Sequence, residues 1–94
     1  PEITRLRPGR NARIKSATPR LMAYVRDRLS GFKSEEQIEM RLDGRKVIAE
    51  YDPERHRIFY QCKAPLSKGR HELEVRARDN SHNLATRSAV FWVE

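Results

Sequence analysis

Apolar and polar residues alternate with a period of two through most of this chain. Leu21, Ala23 and Val25 share one parity, and the same alternation returns in residues 38–42, 57–62, 70–79 and 86–93. Successive side chains of a strand point to opposite faces, so this pattern predicts strands with one buried face. We expect a core that includes the following residues: Val25, Leu42, Leu73, Val75 and Phe91.

Turn residues separate these runs at short, regular intervals. Asp43-Gly44 predicts a tight hairpin, because a type I′ turn needs positive φ at both central residues. That hairpin leads into a strand over residues 46–51, after which Pro53 predicts another turn. About seven strands in 94 residues predict one all-β, Ig-like antiparallel sandwich domain over residues 1–94.

The net charge of +7 is concentrated at the N-terminal end. Residues 1–34 contain nine of the 20 basic residues and two of the 13 acidic ones. This distribution suggests the hypothesis of a polyanion site, whose candidate residues are Arg5, Arg7, Arg10, Arg13 and Lys15. The alternative is an ordinary solvated surface, and the scarcity of aromatic residues in this segment makes nucleic acid a poor candidate partner.

The segment HELEVRARDNSHN, residues 71–83, has the residue types of a metal or catalytic site but not the spacing. A helical zinc peptidase needs H-E-x-x-H, and Val75 occupies the second histidine position. Zinc between His71 and His82, and calcium on Asp79 and Asn83, are weak alternatives. Cys62 is the only cysteine. We therefore expect no catalytic residue, metal site or cofactor.

Three stretches resemble the bacterial Ig-like, or fibronectin-like, domains of envelope and surface proteins. They are PRLMAYVRDRLSGF from Pro19, LDG from Leu42 and LSKGRHELEVRARDNSHN from Leu66, and DGRKVIAEYDPE is also similar to accessory modules of LytM-type peptidoglycan metallopeptidases. The resemblance implies an exported protein of the envelope, periplasm or cell surface from which this domain is a piece. His82 departs from the glycine usual in these domains, which implies either a less tight turn or an unusual backbone angle at His82.

On such a fold, the acidic residues after two strands are expected to cap loops. Asp79, together with Asn83, is predicted to hold residues 80–84, and Asp27 is predicted to hold residues 28–32. His71 is predicted to point inward, beside Leu73, and to be satisfied by one hydrogen bond.

Strand parity also predicts an outward apolar patch formed by Met22, Tyr24 and Phe59. The alternative is that residues 1–15 fold over this patch. Trp92 is predicted to point outward on the other sheet, where arginine stacking explains it.

The sequence therefore predicts a non-catalytic module that spaces or docks a neighbouring domain of an envelope protein. The second hypothesis is a module that binds an anionic polymer such as peptidoglycan, teichoic acid, lipopolysaccharide or nucleic acid. No stretch of the sequence is apolar for long enough to span a membrane.

Overall fold

The computed structural model describes residues 1–26 and 37–94, and these residues form nine strands. The strands are β1 (Glu2–Arg7), β2 (Arg13–Ile14), β3 (Arg20–Arg26), β4 (Ile38–Leu42), β5 (Arg45–Val47), β6 (Glu50–Asp52), β7 (Arg57–Gln61), β8 (Gly69–Arg78) and β9 (Leu84–Val93). No helix in this described part is long and apolar enough to cross a membrane.

The strands form two sheets. The four-stranded sheet has the order β1-β3-β7-β6, and the five-stranded sheet has the order β2-β9-β8-β4-β5. Neighbouring strands pair antiparallel except β2 and β9, which are parallel. The predicted all-β sandwich is therefore confirmed.

The core lies between the sheets and follows the predicted alternation. Leu21, Ala23 and Val25 of β3 are fully buried, as are Leu73 and Val75 of β8 and Phe91 of β9. Leu42 is the exception among the predicted core residues, because it lies half-buried where β4 ends at the Asp43-Gly44 turn. Ile58 and Tyr60 of β7 share this inward parity, since they pair with Ala23 and Leu21.

The prediction of one strand over residues 46–51 is wrong. Residues 45–47 pair with β4 in the five-stranded sheet, whereas residues 50–52 pair with β7 in the other sheet. The chain crosses between the sheets at Ile48 and Ala49, and the side chain of Ile48 is left exposed. Alternation alone could not reveal this crossing, because the apolar residues Val47, Ile48 and Ala49 interrupt the period at that point.

The N-terminal segment lies in both sheets and does not cover an outer face. β1 is an edge strand that pairs antiparallel with β3, and its register shifts between Thr4 and Arg7. Arg5 lies within this bulge at a φ of 53°. The chain then crosses to the other sheet, where β2 pairs with the end of β9. The alternative in which residues 1–15 fold over the apolar patch is therefore wrong.

Candidate docking surface

The outer face of the four-stranded sheet carries the three residues predicted to form an apolar patch. Met22 of β3 lies directly opposite Phe59 of β7, and Tyr24 lies opposite Arg57 in the same pair of strands. All three patch residues are half-buried, whereas their neighbours of opposite parity on β3 are fully buried. We call Met22, Tyr24 and Phe59 the docking patch.

Arginines border this docking patch and stack on its rings. The guanidinium of Arg5 lies 5.5 Å from the ring centre of Tyr24, and that of Arg20 lies 4.6 Å from the ring centre of Phe59. Arg7 is aligned with Met22 across the β1–β3 pair. Each stacked arginine shields part of a ring while its charge remains close to solvent. The face is consequently both apolar and cationic.

The five basic residues predicted as a polyanion site do not share one surface. Arg5 and Arg7 lie on β1, next to the docking patch, whereas Arg13 lies on β2 in the other sheet. Arg10 is exposed in the turn between these strands, and Lys15 is exposed just after β2. The prediction missed Arg20, although it has the same parity as Met22 on β3 and was therefore recognisable as an outward residue.

The outer face of the five-stranded sheet is different, because its charges pair with one another. Arg76 contacts Glu74 at 2.7 Å, and Arg41 contacts Glu39 at 3.3 Å. Trp92 points outward on β9 and is stacked by Arg13, whose guanidinium lies 5.7 Å from the ring centre. Arginine stacking at Trp92 was predicted, but the arginine belongs to β2.

His71 is buried in the sandwich, as predicted, but it makes two hydrogen bonds where one was predicted. Its Nδ1 lies 2.7 Å from Asp43 Oδ2, and its Nε2 lies 2.7 Å from the carbonyl oxygen of Ser67. The ring also stacks on Phe91. Because both nitrogens face acceptors, both must carry a proton, so the geometry favours the charged imidazolium.

Burial and hydrogen bonding have opposite effects on the pKa of His71. Burial alone would lower the pKa, but the hydrogen bond to the Ser67 carbonyl and the hydrogen bond and charge of Asp43 together raise it. The same Asp43 carboxylate accepts a hydrogen bond from the backbone amide of Glu72 at 2.8 Å. Asp43 thus connects the β4–β5 turn to β8. His71 has no ring nitrogen left for a metal ion or a substrate.

Asp79 is buried and organises the loop between β8 and β9. Its Oδ1 accepts hydrogen bonds from the backbone amides of Ser81 and Asn83, each at 2.9 Å, and its Oδ2 accepts one from Asn83 Nδ2 at 3.1 Å. His82 lies in this loop at a φ of 66°. Asp27, the other predicted loop cap, and residues 28–32 lie outside the described residues.

The described residues offer no clustered ligands or activated nucleophile. No group of three or more histidine, cysteine, aspartate or glutamate side chains in residues 1–26 and 37–94 is placed to hold a metal ion. Cys62 is buried, and burial raises the pKa of its thiol. A raised pKa disfavours the thiolate that a cysteine nucleophile would need.

Comparison with known proteins identifies the fold. No protein-family model matches the sequence, and a search of curated sequences gives no significant match. CopC from Methylosinus trichosporium OB3b superposes with a TM-score of 0.74 at 10% identity, over 98% of this chain and 91% of that chain. Identity this low establishes similarity of fold and nothing more.

Two further solved structures contain the same fold. Fibronectin(III)-like modules of Clostridium thermocellum CbhA superpose with a TM-score of 0.63 at 16% identity, over 99% of this chain and 96% of that chain. A putative beta-galactosidase from Bacteroides fragilis superposes with a TM-score of 0.65 at 10% identity, over 99% of this chain but 12% of that chain. The chain therefore has a fibronectin(III)-like or Ig-like sandwich fold.

Proposed function

We propose that the chain is a non-catalytic Ig-like module that spaces or docks a neighbouring domain in a bacterial cell-envelope protein. The docking patch is the observation that carries this proposal. Three large side chains lie together on the outer face of a small, polar domain, and a surface of this kind often marks a contact site. Contact with a neighbouring domain would bury the Met22–Phe59 pair and the ring of Tyr24.

The polar residues support a structural role. His71 and Asp43 connect a turn to a strand, and Asp79 holds a loop, so their polar atoms are already engaged within the domain. The fold neighbours give independent support, since one is described as modules and another contains this fold within a much longer chain. A link to LytM-type peptidases rests on the sequence resemblance and is part of the proposal.

The test is a double variant, Tyr24→Ser with Phe59→Ser, made both in the isolated domain and in the longer polypeptide. Both side chains point outward, so we expect the isolated domain to stay folded. In the longer protein the variant should loosen the docked neighbour and speed proteolysis of the junction. Val90→Ser, on the outer face of the other sheet, is the matched control and should leave cleavage unchanged. Loss of folding in the isolated double variant would contradict the proposal.

A second candidate function is binding of an anionic polymer, and the positions of Arg5, Arg7 and Arg20 favour it. These three arginines border one aromatic face, an arrangement suited to contact with a flexible polyanion. A fluorescent glycerol-phosphate oligomer provides a probe related to teichoic acid. We expect replacement of these arginines by Gln to weaken binding and reduce its salt dependence.

The control for the polyanion hypothesis is a second triple variant, in which three basic residues that do not border the docking patch are replaced. Arg10, Arg13 and Lys15, replaced by Gln, remove the same charge from the turn after β1 and from the region of β2. Equal weakening by both triple variants would show that net charge alone is responsible. An affinity that does not change with salt would refute the polyanion hypothesis.

A further inference from the structure

A groove lies at the sandwich edge where the chain crosses from β5 to β6. The pairing of β6 with β7 begins at Glu50, which lies opposite Phe59, and the residues just before Glu50 belong to the crossing from the other sheet. Beyond this pair, no strand of residues 1–26 or 37–94 lies beside Tyr60 and Gln61 of β7 on the side away from β3. The resulting space has a volume of about 710 Å³. We call it the edge groove.

The backbone of β7 faces the edge groove at Gln61. Cys62 donates its amide hydrogen to Pro19, and Val25 donates to the carbonyl of His56, so residues 56 and 62 bond toward β3. In an antiparallel pair, the backbone amides and carbonyls of successive residues point alternately toward and away from the neighbouring strand. Those of Gln61 therefore point away from β3. An added segment of extended chain could pair with them and prolong β6.

Large apolar side chains form part of the lining of the edge groove. Ile48 is 93% exposed, which is unusual for a large aliphatic residue in a domain this polar. Phe59 and Tyr60 line the groove beside it. Phe59 and Tyr60 point to opposite faces of β7, so an aliphatic side chain of a bound segment would cover Ile48 and one of the two rings.

The charged residues that line the edge groove are mainly cationic. Among the described residues they are Arg20, Lys46 and Lys63, together with one acidic residue, Glu50. This local excess of positive charge favours a negatively charged occupant and opposes a basic one.

We propose that the edge groove binds an extended acidic segment of another polypeptide, whose backbone pairs with Gln61 and whose aliphatic residues contact Ile48. Carboxylates that alternate with the aliphatic residues would reach Lys46 and Lys63. A second copy of this chain is a poorer match, because each copy carries a net charge of +7. The edge groove adjoins the docking patch, with which it shares Phe59 and the stacked Arg20, but its proposed contacts at Gln61 and Ile48 do not depend on the domain contact.

The experiment uses the isolated domain and a blocked heptapeptide of alternating Glu and Val as the probe. Calorimetric titration measures affinity, and hydrogen exchange followed by NMR reports on the amide of Gln61. We expect binding that protects this amide. Ile48→Ser should weaken binding by about tenfold, since burial of a large aliphatic side chain accounts for that much. Lys46→Glu with Lys63→Glu should weaken it further.

Matched controls separate this site from general attraction to a basic protein. Leu84→Ser removes the other exposed large apolar side chain among the described residues, and Lys68→Glu reverses an exposed charge outside the groove. We expect both variants to bind within about twofold of the unaltered domain, since distant surface charges are screened. A heptapeptide of alternating Lys and Val should not bind.

Four results would overturn the proposal. One is absence of binding by the acidic peptide, and another is binding that leaves the Gln61 amide unprotected. The third is equal weakening by the groove variants and the control variants. Self-association of the domain, lost in Ile48→Ser, would assign the groove to a second copy and would also overturn it.

Discussion

The contact between Asp43 and His71 gives the sharpest prediction from this structure. The proposed change is Asp43→Asn, which keeps the side chain's shape and suits the φ of 53° at this position, because asparagine also tolerates left-handed backbone. The change removes the negative charge 2.7 Å from His71 Nδ1. An asparagine can accept one of the two hydrogen bonds that Asp43 accepts, but its amide nitrogen then faces the other donor.

The loss of stability expected from Asp43→Asn follows from these hydrogen bonds. A hydrogen bond to a charged group contributes about 1.5–3 kcal/mol, and the exposure of Asp43 reduces that value through solvent screening. The side chain of Asp43 is 45% exposed, whereas that of His71 is 6% exposed. We therefore expect Asp43→Asn to lower the free energy of unfolding by about 1–2 kcal/mol where His71 is charged.

The loss of stability caused by Asp43→Asn should depend on pH and should be smaller at high pH. The pKa of His71 is raised in the folded chain above the ordinary value of 6.5. Stability from its charged form is therefore fully present below pH 6.5 and is lost as the pH rises through the folded pKa. Urea unfolding at about pH 5.5 and about pH 8.5 should show a smaller effect of Asp43→Asn at the higher pH.

An NMR titration provides the direct check on this reasoning. The His71 ring should titrate above 6.5 in the unaltered chain and at a lower pH in Asp43→Asn. The signals of half-buried His56, in the turn between β6 and β7, serve as a spectral control, because this turn belongs to the other sheet from Asp43. An effect of Asp43→Asn on stability that is equal at both pH values, or a His71 pKa at or below 6.5, would refute the account.

The remaining predictions concern the core, the β8–β9 loop and metal binding. Leu73→Ala should lower the free energy of unfolding, measured by chemical denaturation, by about 2–4 kcal/mol, because it leaves a cavity between the sheets. A decrease below about 1 kcal/mol would contradict full burial of Leu73. Asp79→Ala should cost about 2–3 kcal/mol, since three donors lose their acceptor, and Asp79→Asn should cost less. The purified chain should retain no stoichiometric zinc after mild chelation; equimolar zinc would require a site built from His71 or His82.

Strand parity was predictable from the sequence because it depends on local alternation. The period of two in residues 21–25 and 71–77 correctly places the buried faces of β3 and β8. Alternation did not predict β1, because a register shift between Thr4 and Arg7 interrupts the period of two in this strand.

Contacts between distant residues were not predictable in the same way. Asp43 was recognised as a turn residue, but its contact with His71, 28 positions away, depends on how β4 and β8 pair. The split of the basic residues between two sheets likewise depends on where the chain crosses after β1. The edge groove arises from the crossing at Ile48, which no periodic pattern marks.

Hydroxyl-radical footprinting, read by mass spectrometry, tests the central claim most directly. It compares labelling of Met22, Tyr24 and Phe59 in the isolated domain with labelling of the same residues in the longer polypeptide that we propose. Trp92, which points outward on the other sheet, is the internal control. The account predicts that the docking patch is protected in the longer polypeptide while Trp92 is labelled equally in both. Equal labelling of the docking patch in both proteins, or protection of Trp92 alone, would contradict it.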